Sequence, residues 1–111
     1  MLKRINNKCF YDEVSNVTYS FTPHFLDRLK RLPYKITPFQ LCDIINSNYN
    51  FSFIKQLPYK TLILTPFHGT YLIAVKETWG NHIILEFKTL IRRTQSFLKK
   101  GIGVTFYERR G

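Results

Sequence analysis

The sequence predicts an α+β protein in which a helical hairpin packs on a four- to five-stranded, mainly antiparallel sheet. Two helix-start signals lie close together, because Thr22-Pro23 and Thr37-Pro38 each place a capping residue before a proline at the first helical position. From Tyr49 onward the chain changes to short runs of β-branched and aromatic residues separated by turns, which is typical of successive strands. Helices grouped before strands indicate that the hairpin covers one face of the sheet.

Local patterns set the bounds of each predicted element. Val17, Tyr19 and Phe21 alternate with polar residues, as in a half-buried strand. Residues 1–15 are polar and are expected to form an irregular N-terminal extension. In chain order we expect a strand over residues 16–21, helices over 23–32 and from 38 to 45 or 46, strands over 51–54, 59–66, 70–77, 82–90 and 102–107, and turns at 68–69, 79–81 and 99–101.

The length of the chain limits the number of domains, and its charge indicates the kind of partner. With 111 residues, a single domain spanning 1–111 is expected. The chain carries 17 Lys and Arg against 7 Asp and Glu, a formal net charge of +10. The excess positive charges repel each other in the compact state. Binding to the phosphates of a nucleic acid neutralises these charges and releases counterions from the nucleic acid. The charge therefore predicts a nucleic-acid partner, with a merely basic, soluble surface as the alternative.

Cysteine usage and hydropathy indicate a reducing, aqueous compartment. Cys9 and Cys42 are too few for a disulfide framework, and the apolar helical pattern around Cys42 predicts a buried free thiol. Charged residues begin at Lys3, unlike the start of a secretion signal. No apolar run approaches the ~20 residues of a membrane span. We expect a cytoplasmic protein that does not contact a membrane.

The first predicted helix carries two parallel stripes. Its apolar residues recur at helical spacing and form the core stripe: Phe25, Leu29 and Leu32. His24, Arg28 and Arg31 share that spacing about 100° away. An imidazole and two guanidinium groups in one row suit a phosphate site, because arginine binds phosphate oxygens in bidentate fashion. The alternative is a solvated basic face in which Asp27 pairs with Arg31.

The predicted strands add a second set of polar side chains. Alternation places Ile83, Leu85 and Phe87 in the core and leaves the intervening residues on the other face. In the last strand Tyr107 lies on that outer face. An ordinary half-exposed sheet is the alternative to a binding cleft. The basic and polar residues assigned here to substrate binding, together with Arg31, are Lys60, Lys76, His82, Lys88, Thr105 and Arg109.

Turn residues and exposed aromatic residues supply further candidates. His68 precedes Gly69 in a predicted turn, so it is either a turn residue alone or a catalytic base at a loop tip. Trp79 and Tyr71 are candidates for stacking on unpaired bases, although core packing is the commoner fate of an aromatic residue.

The sequence lacks motifs for metal or nucleotide chemistry. It contains no HExxH, no Cys/His cluster at zinc spacing and no P-loop, and its acidic residues are scattered. No cofactor is therefore expected. Cleavage of RNA without a metal needs a base for the 2′-hydroxyl, cations for the phosphorane and an acid for the 5′-oxygen.

A family resemblance agrees with this chemistry. The stretch Phe21-Thr22-Pro23-His24-Phe25-Leu26-Asp27-Arg28-Leu29-Lys30-Arg31, followed by Ile36-Thr37, resembles the opening of small RelE-like nucleases of the RelE/ParE superfamily (barnase–EndoU–colicin–RelE type). It is also similar to the corresponding stretch of the phage RegB endoribonucleases. The closing Gly103-Val104-Thr105-Phe106-Tyr107 resembles the final strand of the RelE-like family.

The resemblance implies a fold, an activity and a set of residues. It implies a RelE-like fold and metal-independent endonucleolytic cleavage of RNA, often mRNA, to a 2′,3′-cyclic phosphate and a 5′-hydroxyl. His24, Arg28, Thr105 and Tyr107 match the motif positions, whereas Arg31 is offset by one residue from the commonest second arginine. Ribosome-bound RNA is an expected substrate, and an antitoxin or a host protein is a further partner to test. Some relatives of this family target DNA gyrase and have no nuclease activity.

Three functions stay open at the level of sequence. The first is a toxin-like or phage-type endoribonuclease, in which His24, Arg28, Tyr107 and His68 are the catalytic candidates. The second is a non-catalytic nucleic-acid-binding protein, which needs only the charge. The third is an inhibitor or adaptor that binds a host protein, which predicts an exposed apolar patch and little salt dependence.

Overall fold

One mixed β-sheet with helices packed on one face forms the described part of the chain. The computed structural model describes residues 2–33, 35–49, 51–92 and 104–105. Six strands of four to eleven residues form the sheet, and a two-residue strand extends it at one edge. The elements are β1 (Leu2–Asn6), β2 (Cys9–Asp12), β3 (Val17–Phe21), α1 (Pro23–Lys30), α2 (Pro38–Asn48), α3 (Phe51–Gln56), β4 (Leu62–Phe67), β5 (Thr70–Trp79), β6 (His82–Arg92) and β7 (Val104–Thr105).

The sheet joins two antiparallel units through a parallel contact. In space the strand order is β1-β2-β3-β6-β5-β4-β7. The meander β1-β2-β3 is antiparallel, and so is β4-β5-β6. β3 pairs with β6 in parallel, from Val17 opposite Ile83 to Phe21 opposite Phe87. The short β7 is parallel to β4. The predicted mainly antiparallel sheet of four or five strands under a helical hairpin is therefore wrong.

Two segments account for most of that error. Residues 1–15 were expected to be irregular, but residues 2–15 form β1, β2 and the turns beside them. β1 is an exposed edge strand, so its residues lack the apolar alternation that marks a half-buried strand. Residues 51–54 were expected to be a strand, but they belong to α3. Ile54 is buried while its neighbours are exposed, and a run of this length does not distinguish a helical turn from a strand.

The predicted helix starts and the alternation of β6 are confirmed. Thr22 and Thr37 cap α1 and α2, and Thr37 forms a capping box with Gln40. The apolar stripe of α1 packs inward, since Phe25 and Leu29 are buried. Residues of β6 face the helices as expected: Ile83, Leu85 and Phe87.

The main core lies between the helices and one face of the sheet. Aromatic rings fill its centre, where Phe21 lies 5.3 Å from Phe25 and 5.2 Å from Phe87, measured between ring centroids. Leu41 and Cys42 of α2 are fully buried in the same core. Burial raises the pKa of the Cys42 thiol, and the predicted buried free cysteine is confirmed. A smaller apolar cluster of Leu64, Tyr71 and Ile73 lies on the other face.

Two tight turns connect the long strands. His68 and Gly69 both have positive φ, +44° and +79°, between β4 and β5. Positive φ at both central residues is the geometry of a type I′ hairpin turn. Gly80 has a φ of +63° at the first central position of the β5–β6 turn. The predicted turns at 68–69 and 79–81 are confirmed.

Lys76 is a buried cation that joins β5 to the end of α3. Only 2% of the residue is exposed. Its ammonium group donates to the carbonyl oxygens of Lys55 at 3.1 Å and Leu57 at 2.5 Å. These carbonyls lie at the end of α3, where backbone acceptors lack partners within the helix. Burial lowers the pKa of Lys76, and its ammonium is committed to the fold.

Replacing Lys76 by methionine is expected to destabilise the protein. Lys76→Met keeps the aliphatic stem but removes the charged donor from two carbonyls, so we expect a loss of about 1–3 kcal/mol in the free energy of unfolding. Urea denaturation followed by circular dichroism measures it. Lys55→Met removes the same charge from an exposed side chain of α3 and should change stability by less than ~0.5 kcal/mol. Equal stability of both variants would contradict a structural role for Lys76.

Candidate functional site

The candidate site forms where β3 ends and α1 begins. β3 pairs with β6 only as far as Phe87, and the edge of β6 beyond that residue is taken up by Thr22. The Thr22 amide donates to the carbonyl oxygen of Phe87 at 3.1 Å, and its hydroxyl donates to that of Lys88 at 3.0 Å. The same hydroxyl accepts from the amide of Phe25 as the N-cap of α1. The first turn of α1 is thereby held against the edge of β6.

His24, Arg28 and Thr89 meet at this edge and are called the edge cluster here. Arg28 Nε donates to His24 Nε2 at 3.0 Å, one helical turn along α1. The hydroxyl of Thr89, on β6, lies 3.1 Å from the same His24 nitrogen. His24 and Arg28 are exposed, and Thr89 is half-buried. The structure thus brings an imidazole, a guanidinium and a hydroxyl together on an accessible surface.

The contact with Arg28 defines the role of each His24 nitrogen. Arginine is always protonated, so Nε2 must be the acceptor and the ring proton of the neutral imidazole lies on Nδ1. The guanidinium of Arg28 has four further N–H donors beside the one that donates to His24, and these can donate to the oxygens of an anion. The edge cluster is therefore suited to a phosphate group.

Arg31 has a different partner. Its guanidinium forms an ion pair with Asp27 at 2.8 Å, one turn earlier on α1, and both side chains are exposed. This is the solvated pairing that the sequence left open as an alternative. The three-residue stripe predicted for α1 is present in position, but only His24 and Arg28 join the edge cluster.

The participation of Thr89 was missed at the level of sequence because a β-bulge changes the alternation of β6. Ala74 lies opposite Phe87 and Ile73 opposite Thr89, so Lys88 is an extra residue in β6. Beyond the bulge the buried residue is Leu90, which strict alternation from Phe87 would have placed outside. The break in the pattern, two apolar residues separated by two polar ones, was the signal for the bulge.

The other predicted substrate-binding residues are dispersed over the molecule. Lys88 pairs with Glu86, and Lys60 pairs with Glu77. Hydrogen bonding to Glu77 raises the pKa of Lys60. Lys76 is buried beneath α3, so its ammonium is not available at the surface. His82 lies near the start of β6, about 23 Å along the strand from Thr89 at 3.3 Å per residue.

The remaining catalytic and binding candidates are placed only in part. His68 lies in the β4–β5 turn, with its ring 4.6 Å from that of Phe67 and beside a cleft of about 390 Å³ next to α2. Neither the ring contact nor the lining of this cleft includes a residue of the basic stripe of α1. The backbone of Thr105 lies in β7, opposite Leu64. Tyr107 and Arg109 lie outside the described residues.

A network of buried and half-buried polar side chains borders a cavity beside α2. The Asp12 carboxylate accepts from the amide and the hydroxyl of Ser15, at 2.8 and 2.7 Å. Tyr19 donates to Asn46 at 2.8 Å. A cavity of about 700 Å³ borders this network. Burial raises the pKa of Asp12, whereas hydrogen bonds, foremost those from the amide and hydroxyl of Ser15, lower it; the net result is a lowered pKa.

The Asp12–Ser15 contact predicts a pH-dependent stability difference. Because the folded pKa of Asp12 is lowered, its stabilisation is present above the unfolded pKa of about 3.9 and is lost as pH falls through the folded pKa. Ser15→Ala is expected to cost about 1.5–3 kcal/mol at pH 7, and the difference from wild type should shrink at about pH 3. Urea denaturation at both pH values measures this. A pH-independent difference would contradict an effect that acts through the carboxylate.

Two structural properties bear on cofactors and membranes. The described ranges contain no group of three or more His, Cys, Asp or Glu side chains positioned to hold a metal ion. Among the helices of residues 2–92 that the structure describes, none is long and apolar enough to span a membrane.

Comparisons with known proteins leave the family of the chain undetermined. No family model, curated protein or solved structure matches it. The residues of the edge cluster and the charge of the chain are the features that bear on its function.

Proposed function

We propose that this protein is a metal-independent endoribonuclease that binds a phosphate of RNA at the edge cluster. The observation that carries the proposal is the exposed contact of His24 Nε2 with Arg28 Nε at 3.0 Å. Such a pair offers a proton acceptor and a fixed cation within reach of one phosphodiester. A binding site alone would need only the cation.

The distribution of charge supports an anionic partner at α1. Four described ion pairs involve Lys3, Arg31, Lys60 and Lys88, and none of them includes Arg28, Lys30 or Lys35. Lys30 and Lys35 line a groove of about 500 Å³ beside Leu29. Basic side chains thus flank α1 on two sides, which suits a polyanion better than a single small ligand.

The proposed reaction assigns each residue a step. The Arg28 Nε–H first turns from His24 Nε2 to a phosphate oxygen, which frees the Nε2 lone pair. His24 Nε2 then accepts the proton of the 2′-hydroxyl, and the 2′-oxygen forms a bond to phosphorus. The bond between phosphorus and the 5′-oxygen then breaks, and a proton from a general acid completes the 5′-hydroxyl product. Arg28 stabilises the charge of the phosphorane through bidentate hydrogen bonds. We assign the general acid to Tyr107, which stays a sequence-based prediction.

Location and partners belong to the same proposal. We place the protein in the cytoplasm, because its cysteines include a buried free thiol at Cys42. Its proposed partner is RNA, with mRNA and ribosome-bound RNA as the first substrates to examine. An antitoxin or a host protein is a further partner to test.

A non-catalytic RNA-binding protein is the second candidate. The described part of the edge cluster contains one imidazole, since His68 and His82 belong to other parts of the fold. Cleavage needs a second acid–base group at the same phosphate. Binding needs only Arg28 and the surrounding basic residues.

Cleavage is expected to persist in EDTA and to depend on the edge cluster. His24→Ala should lower the rate by ~10²–10⁴ through loss of acid–base catalysis. Arg28→Ala should lower it by ~10²–10³, and Arg28→Lys should recover little, because one ammonium cannot reproduce a bidentate fork. Gel assays on mRNA, tRNA and ribosome-bound RNA, with end-group analysis of the products, measure these effects.

Arg31→Ala is the matched control for Arg28→Ala. It removes the same charge from the same helix, but its guanidinium pairs with Asp27 outside the edge cluster. It should retain most of the activity, and circular dichroism checks that each variant is folded. Full activity of the His24→Ala/Arg28→Ala double variant would refute the edge cluster as the active site. No cleavage by the unmodified protein, with RNA still bound, would favour the non-catalytic candidate.

RNA binding is expected to weaken steeply with salt. Between about 50 and 200 mM salt the affinity should fall by ~10³ or more if six or more phosphates are contacted. Filter binding across this range measures the slope, and Arg28→Ala should make it shallower. A flat response would instead indicate a protein partner.

A further inference from the structure

A row of aromatic side chains lies on the sheet face opposite the helices. Tyr11 of β2 and His82 of β6 lie on either side of β3, with their ring centroids 5.5 Å apart. Trp79 lies directly opposite His82 across the β5–β6 hairpin, so both side chains share this face. We call Trp79, His82 and Tyr11 the aromatic row.

Hydrogen bonds orient two of the three rings. His82 Nε2 lies 2.6 Å from the hydroxyl of Thr18. Thr18 belongs to β3, the strand between those that carry Tyr11 and His82. The Tyr11 hydroxyl donates to the side-chain oxygen of Asn16 at 2.9 Å. Tyr11 and His82 are both half-buried, so their rings are held in place while part of each ring stays accessible.

Trp79 is the most exposed member of the row. Its side chain lies at the hairpin tip, next to Gly80, and the residue is 83% exposed. Tryptophan is usually largely buried. An exposed tryptophan on a short, defined turn is therefore a candidate residue for contact with a binding partner. Tyr71, the other stacking candidate in the sequence, is buried and is not available.

Two cations beside the row already have acidic partners. Lys3, which lies opposite Tyr11 on β1, pairs with Glu13, and Lys60 pairs with Glu77, a residue of β5 near Trp79. On a chain of net charge +10, an aromatic surface of this kind suits the faces of bases, while the phosphates of the strand are bound by cations elsewhere. The edge cluster lies about 23 Å further along β6, on the estimate of 3.3 Å per residue.

We propose that the aromatic row is a stacking surface for the unpaired bases of single-stranded RNA. The proposal rests on the proposed RNA binding and names the substrate class as single-stranded. Bases in a duplex stack on each other and hide their faces, whereas unpaired bases can stack on Trp79 and on the rings beyond it. The row would then define where the strand lies relative to the edge cluster.

The single tryptophan of the chain reports directly on this contact. Binding of a labelled oligonucleotide is followed by fluorescence anisotropy, and stacking is followed in the same sample by quenching of Trp79 emission. A single-stranded oligoribonucleotide is expected to bind and to quench. The duplex of the same sequence is expected to quench little, even where its charge allows binding.

Variants of Trp79 separate stacking from simple apolar contact. Trp79→Ala should weaken single-strand binding by a factor of about 5 to 150, since stacking contributes about 1–3 kcal/mol per base. Trp79→Phe should recover most of the affinity, and Trp79→Leu should behave like alanine because it lacks a π face. Because the side chain is exposed, each variant is expected to fold, and circular dichroism verifies this.

The outcomes distinguish this inference from the proposed function. Binding of single-stranded RNA without quenching, or with full affinity in Trp79→Ala, would overturn the stacking surface and leave the edge cluster untouched. Equal quenching by the duplex would overturn the preference for single strands. Absence of any RNA binding in the anisotropy measurement would overturn both proposals.

Discussion

The parallel pairing of β3 with β6 is the contact on which the rest of the structure depends. It joins the N-terminal meander to the β4–β5–β6 unit, and without it the sheet would be two separate pieces. Phe21 and Phe87 lie opposite each other in this register and stack at 5.2 Å in the core. Because β3 ends at Phe21 while β6 continues, α1 starts against the exposed edge of β6, and this brings His24 to Thr89.

The two faces of the sheet have different roles as a consequence. The helices cover one face and build the main core, to which Lys76 contributes a buried hydrogen-bonding cation rather than a surface charge. The other face keeps accessible side chains at the β5–β6 hairpin. The edge cluster and the aromatic row therefore lie toward opposite ends of β6, so this strand sets the distance between the proposed phosphate site and the proposed base-stacking surface.

The sequence predicted those parts of the fold that depend on local chemistry. Thr22 and Thr37, each followed by a proline, predicted both helix starts, because N-capping and the fixed φ of proline involve only neighbouring residues. It also placed His24 and Arg28 on one exposed stripe, because helical spacing decides that by itself. It did not predict β1, since an edge strand exposed to solvent has no apolar alternation to detect. Nor did it predict α3, whose short aromatic run fits either structure.

By itself, the sequence determined the charge of the chain, the caps and apolar stripe of α1, the two hairpin turns and the inward residues of β6. Only the tertiary structure decided which of the dispersed polar residues come together. It buried Lys76 and brought Thr89 to His24 through the bulge at Lys88. The physical reason is that strand order and register depend on contacts between residues about 65 positions apart, and no local pattern encodes such contacts.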